Sequence, residues 1–287
     1  MQHLWEPKRR IELAFRHNLM ELARQMIRRV GHTSDPDAIN KVLLQIAESK
    51  TLQRVCQAAA LKMVTGLFDD QGRTWRQAAA RNGRSRELYN LLRKELQGPT
   101  GRKLRDLVEE NAALIRTLPT DIASDVAAYT AREATKGRRA SDIAEEIRTM
   151  FPSHTRARAE LIARTQTSMT QTELTQARCQ NFGISWYIWR PVGGMGGDGR
   201  TRTSHRMMSG VIVNWDDPPA PEDLFPTIGK NGKPYRNSLG HYHAGCCPNC
   251  RCYPEPIIDL DLVNWPARIY RHGSIRTISR RNFERVQ

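Results

Sequence analysis

The sequence predicts an α+β protein, with an all-helical N-terminal half followed by a small, loop-rich α+β domain around a Cys/His centre. Three observations predict it. Apolar residues recur at helical spacing through the first 150 residues. Aromatic and β-branched stretches then appear at 184–189 and 211–215. Finally, four of the six cysteines fall between Cys246 and Cys252.

The helical half reads as follows. Ile11, Phe15, Leu19, Leu22, Ile27 and Val30 mark a first helix, which Gly31 interrupts. Asp35-Pro36 offers an N-cap followed by a proline at the first helical position, and the helix after it runs through Ile39, Leu43, Ile46, Leu52 and Leu61. Gly66, Asp69, Asp70 and Gly72 predict a turn. A third helix covers 75–96, weakened by Gly83. Gly98-Pro99-Thr100-Gly101 is the clearest break, and helices restart around Leu104 and at Pro119. Lys136-Gly137-Arg138-Arg139 is a basic turn, followed by a short helix capped by Ser141. No catalytic constellation stands in this half, and Cys56 reads as a small buried apolar residue.

Phe151-Pro152-Ser153-His154 predicts a boundary. The expected division is a helical domain at 1–150, a second domain at 151–258 and a basic C-terminal tail at 259–287, which is either docked through Trp265, Ile269, Tyr270 and Ile275 or disordered in part until assembly. The second domain opens with a polar helix over about 155–180, whose thin stripe is Ala157, Leu161, Ile162, Met169 and Leu174. Strands follow at 184–189 and 211–215. Pro254 and Pro256 allow at most an edge strand near 253–258, because proline cannot donate to a ladder.

The formal charge is +15, and 36 of the 45 basic residues are arginine. The excess is spread along the chain, where a dedicated DNA reader concentrates it. It fits an acidic partner such as nucleic acid. No apolar run approaches the ~18 residues that span a bilayer, and no signal-peptide core stands at the N-terminus. A reducing cytoplasm during synthesis is the expectation, and structural disulfides are uncommon there.

Cys247-Pro248-Asn249-Cys250 is a C-x-x-C unit, and Cys252 follows. Such a turn places two thiolates on one tetrahedral zinc ion. A loop-rich domain gains most from an ion, because binding energy becomes folding energy. Cys250 and Cys252 lead the candidate ligands, with His205 and then Cys247 or His243 completing the set. Free packed thiols and a disulfide stay open as alternatives; a thioredoxin-like pair lacks its βαβ context. The polar segment 198–206 carries Arg200, Arg202 and Arg206, which with Arg251 form a candidate anion or nucleic-acid contact. Gly194-Met195-Gly196-Gly197-Asp198-Gly199 matches G-x-G-x-x-G, but no apolar helix follows, so the dinucleotide reading fails.

Ile162-Ala163-Arg164-Thr165-Gln166, then 186–189, then Asp198-x-Arg200-Thr201-Arg202-x-x-His205, then Asn249-Cys250-Arg251-Cys252 form an ordered series. It resembles the phage head-morphogenesis, or minor capsid, family that includes the Mu F-type proteins, over about residues 155–258. The resemblance implies a virion protein of the capsid interior or portal region, made in the host cytoplasm. Its implied role is procapsid assembly, in contact with portal or major capsid protein and packaged DNA, with no membrane and no small-molecule substrate. It matches His205, Cys250 and Cys252 to the family's motif and Arg200 and Arg202 to its basic pair. Many members place a histidine where Cys247 stands here. The competing function is a metal-dependent nuclease or hydrolase at the same centre, with Asp198, Asp216, Asp217 or Glu255 as its base.

Overall fold

The computed structural model describes residues 4–81, 85–194, 197–226 and 239–286. Gly83, the Met195-Gly196 pair of the glycine loop and the first three residues lie outside them. The α+β class holds, with helices first and a five-stranded sheet after.

Helix α1 spans Arg9–Val30 and buries Phe15, Leu19, Leu22 and Met26, the stripe read from the sequence. Helix α2, Pro36–Ala47, starts where expected, with the Asp35 side chain accepting from Asp37 N. It ends earlier than expected. Ser49 Oγ accepts from Leu52 N at 3.2 Å and so caps a new helix, α3, Lys50–Ala80. The turn expected at 66–72 is absent, because α3 runs through it. Met63, Leu67, Gln71, Trp75 and Ala79 are all buried at spacings of four. That stripe outweighs the ~1 kcal/mol that each glycine costs in a helix. Trp75 therefore belongs to α3, and the expected third helix shortens to α4, Ser85–Lys94, closed by a 3-10 turn at Glu95–Gln97.

Helix α5, Pro99–Arg116, begins at the predicted break. A Cβ added at Gly101 would stand 1.9 Å from Leu96 O, so the close approach of the 3-10 turn requires glycine. Gly101→Ala is expected to cost about 1–3 kcal/mol, the usual range for forced overpacking. An unchanged urea midpoint would show that the turn yields freely.

Helix α6 is Leu118–Thr135 and α7 is Ala140–Asn181. The boundary expected at 151–154 falls inside α7, which carries Pro152 without a break. Ile143, Ile147, Phe151, Thr155, Ala159 and Ala163 are buried at unbroken four-residue spacing. Packing along that line overrides the proline penalty. The predicted stripe on the second half of α7 holds at Ile162 and Leu174, which are buried, and at the half-buried Leu161 and Met169, but polar residues join it. Ala157 is exposed, while Thr165, Thr167, Thr170, Thr172, Thr175 and Arg178 are buried.

The chain forms two compact units. One is Arg9–Thr65 with Arg105–Gln166, an all-helical unit in which α2 packs on α6 and Cys56 is fully buried. The other comprises Met1–Lys8, Gly66–Leu104 and Thr167–Gln287. Its strands are β1 (Trp186–Arg190), β2 (Val211–Asn214), β3 (Tyr253–Pro256), β4 (Ala267–Arg271) and β5 (Ser274–Ile278). The order is β3-β1-β2-β4-β5, with only the β2–β4 pair parallel. As expected, β3 is an edge strand. Ile257 N donates to Trp186 O, which sets the parity and turns Pro254 and Pro256 outward, where no N–H is needed.

The basic tail takes the docked alternative, with Trp265, Ile269, Tyr270 and Ile275 all packed against the sheet. Residues 259–287 supply β4, β5 and a closing turn of helix, α10 (Arg280–Phe283). Their apolar residues divide between the sheet faces. Ile269 and Phe283 join Trp186, Ile188 and Ile212 on one face, and Tyr270 joins Tyr187, Trp189, Val211 and Val213 on the other. Among the described residues, no helix is long and apolar enough to cross a membrane.

Candidate metal centre

The second sheet face carries the cysteines. After β1 the chain turns through 197–202 into a single helical turn, α8 (Thr203–Met207), which seats His205 against Trp189 with ring centroids 5.6 Å apart. The cysteine loop approaches from the far end of the sequence and is pinned to α7, where Thr172 donates to Ala244 O at 2.6 Å. At Gly245, with φ +93°, a Cβ would meet Thr172 Oγ1 at 2.5 Å and Cys252 O at 2.8 Å. Only glycine lets the loop pass there. The C-x-x-C turn closes through Cys250 N donating to Cys247 O at 3.1 Å, with Asn249 at φ 59°.

This folding brings together three predicted ligands. His205 Nδ1 lies 3.5 Å from Cys250 Sγ and 3.5 Å from Cys252 Sγ, and all three residues are buried. These donors can hold a metal ion. Zn–S bonds of about 2.3 Å and Zn–N bonds of about 2.0–2.1 Å at a tetrahedral angle put N and S roughly 3.6 Å apart. The observed separations meet that requirement. The Cys252 N–H donates to Cys250 Sγ at 3.3 Å and holds the two cysteines in register.

The other two candidate ligands are placed differently. Cys247 Sγ stands 3.9 Å from the opposite ring nitrogen, His205 Nε2, and accepts from Arg202 Nη1 at 3.0 Å. Hydrogen bonding to Cys250 and burial hold the Cys247 thiol pKa above its usual value. His243 is in an aromatic box. Its Nδ1 is 3.2 Å from Tyr187 OH, and Trp215 meets it edge-on at 5.0 Å. His241 Nδ1 bonds Pro218 O and is exposed.

The basic residues divide as well. Arg202 also bonds Pro248 O at 2.8 Å, and Arg251 pairs with Asp198. Asp198 in turn accepts from Arg200 N and Thr201 Oγ1, which organises the loop over the cysteines. The side chains of Arg200 and Arg206 are exposed. Of the candidate bases, Glu255 pairs with Arg190 and Asp217 accepts from His272 N.

Two site residues were missed in the sequence. Glu222, on the short turn α9 (Pro221–Leu224), has an oxygen 3.4 Å from His205 Nε2, and Tyr242 OH lies 2.9 Å from the same nitrogen. Nothing in their spacing signals this, since Glu222 sits in a proline-rich stretch and Tyr242 reads as core. Burial opposes charge on His205, but hydrogen bonds to Cys247, Cys250 and Glu222 outweigh it and raise its pKa to about 11 in the metal-free chain. Burial likewise opposes charge on Glu222, yet His205 and Tyr242 bring its pKa down to about 2.

His243 gives a pH prediction. Burial lowers its pKa from 6.5 to about 4, against weaker opposing effects of the Trp215 backbone and Asp216. Between pH 6.5 and 4 the unfolded chain binds a proton there and the native chain does not. Stability therefore falls as pH drops through that window, by up to about 3 kcal/mol. His243→Phe is expected to flatten the fall in urea midpoint between pH 7 and 4. Parallel profiles for the two proteins would refute the assignment.

The comparisons bear on the same residues. The family model for phage Mu protein F like protein matches residues 124–254. This region is Mu F-like. His205, Cys250 and Cys252 all lie inside it, as the motif resemblance implies. A protein of Haemophilus influenzae described as "Uncharacterized protein" is 29% identical over 157 residues, covering 55% of this chain. The matched stretch is 30% of that relative's length. No solved structure matches.

Proposed function

We propose that this chain is a phage head-morphogenesis protein whose Mu F-like region is stapled by one structural zinc ion. The observation that carries the reading is the buried trio of His205, Cys250 and Cys252 at tetrahedral spacing inside the matched segment. Cys247 is the fourth ligand. The C-x-x-C turn already holds it beside Cys250, and Arg202 supplies a cation for the extra thiolate charge. Zinc there would tie α8 to the entry of β3 and leave no reactive position. The four proposed ligands are only 2–3% exposed, which favours a closed structural centre over the hydrolase reading.

The partners are those of a head protein: portal or major capsid protein, and packaged DNA through phosphate contacts. Arg200 and Arg206 are the exposed members of the predicted basic set that would make such contacts, Arg206 from a guanidinium that also donates to Thr203 Oγ1 at 3.2 Å; phosphate contacts carry no sequence information. The location is the virion, in its interior or at the portal.

An amber allele in the encoding phage or prophage tests the role. We expect DNA replication to proceed while infectious filled heads are lost, and normal titres would overturn the reading. Elemental analysis of purified protein should give about one zinc per chain. Plasmid cleavage that needs added metal and disappears in His205→Ala would install the hydrolase in its place.

A further inference from the structure

We propose that Glu222 and Tyr242 are positioning residues of the metal centre, fixing His205 so that Nδ1 is the atom it offers to the ion. The proposal rests on the zinc reading above and deepens it. The two nitrogens of His205 face different surroundings. Nδ1 looks at the sulfurs of Cys250 and Cys252, each 3.5 Å away. Nε2 looks at Tyr242 OH, at 2.9 Å, and Glu222 Oε1, at 3.4 Å.

The protons follow from donor counting. A carboxylate only accepts, and a phenol has one proton to give. Tyr242 OH lies 2.8 and 2.7 Å from the two oxygens of Glu222, so the hydroxyl donates to the carboxylate. Its lone pairs then accept from Nε2–H. A neutral imidazole protonated at Nε2 carries its lone pair on Nδ1, the side that Cys250 and Cys252 occupy, while Cys247 Sγ stands 3.9 Å from Nε2. Ser204 Oγ donates to Glu222 Oε1 at 3.2 Å and anchors the carboxylate a second time.

The clamp draws on three separate segments, α8, α9 and the loop at Tyr242, whose backbone N donates to Pro219 O at 3.0 Å. His205 and Tyr242 are buried and Glu222 nearly so, and little water competes for these bonds. A ligating histidine whose other N–H is held by a carboxylate network keeps its orientation and is a better base toward the ion. The opposite assignment, with Nε2 on the ion, would have to displace both Tyr242 and Glu222.

The test uses the full chain, labelled with 15N-histidine and loaded with zinc. Long-range proton–nitrogen correlation is expected to show Nε2 protonated and Nδ1 coordinated; the reverse pattern overturns the proposal. In chelator competition, Glu222→Gln and Tyr242→Phe are each expected to weaken zinc binding about 10- to 100-fold. The cobalt-loaded variants should keep the wild-type sulfur-to-metal absorption, and their thermal midpoint should fall further in the zinc-loaded than in the metal-free chain, where a merely structural role would lower both equally. Zinc affinity within twofold of wild type in both variants overturns the proposal. A wild-type chain that takes up no zinc sinks the metal reading and this one together, a different failure from a bound ion indifferent to the clamp.

Discussion

Cys250→Ser is expected to abolish the proposed zinc binding and to cost the sheet-bearing unit roughly 4 kcal/mol. That figure is the stabilisation given by a ligand present at about a thousand times its dissociation constant. The substitution removes one sulfur from a buried cluster in which His205 Nδ1 contacts both Cys250 and Cys252. It also replaces the sulfur that accepts from the Cys252 N–H by a smaller hydroxyl. Hydrogen exchange should rise over 184–258 and through β4 and β5, which pair into the same sheet. Protection in the helical unit of Arg9–Thr65 and Arg105–Gln166 should persist, because that unit packs around its own buried residues. Chelator treatment of the wild-type chain should reproduce the pattern. If the thiols merely packed, the chelator would do nothing and the serine variant would lose only the small cost of a buried hydroxyl. Equal loss of protection in both units would show that they unfold as one.

Much of the candidate site was legible because its chemistry is local. Cys250, Cys252 and the C-x-x-C turn are adjacent in sequence, and His205 stood out once a fourth donor was sought. Glu222 and Tyr242 were not legible, since their roles depend on three loops converging. His243 was read as a ligand because it lies four residues from Cys247, but the loop turns its ring into Tyr187 and Trp215. The fold class was legible from periodicity, and so was the edge strand, because two prolines in a strand leave few other places for it. Continuity was harder. Pro152, Gly66 and Gly72 are strong local punctuation, and only the buried line through Ile147, Phe151 and Thr155, or through Leu67, Gln71 and Trp75, overrides it. The tail was legible in part. Trp265, Ile269, Tyr270 and Ile275 offered a means of docking, but so few apolar residues among many arginines do not announce two strands and a helical turn.

Arg178→Met carries the second large expected effect, a loss of about 3–5 kcal/mol from the sheet-bearing unit. Arg178 read as one more polar residue on a polar helix, yet it is fully buried. Its guanidinium makes a bidentate pair with Glu95, at 2.7 and 3.1 Å, and donates to Gln71 Oε1 and Phe68 O. It also lies over the Phe68 ring, 4.4 Å from the centroid. Gln71 continues the network through its amide to Gln171 O and Thr175. One side chain thus joins the last turns of α7 to α3 and to the 3-10 turn after α4, the frame from which β1 departs. Methionine fills the space but leaves the Glu95 carboxylate buried without a partner, and that is where the cost arises. The decisive measurement is a double-mutant cycle. Glu95→Leu in the Arg178→Met background should recover most of the stability, because a matched apolar pair avoids the desolvation that the ion pair must overcome. If the double variant is no more stable than Arg178→Met alone, the cost lies in the bonds to Gln71 and Phe68, and the ion pair is incidental to the frame.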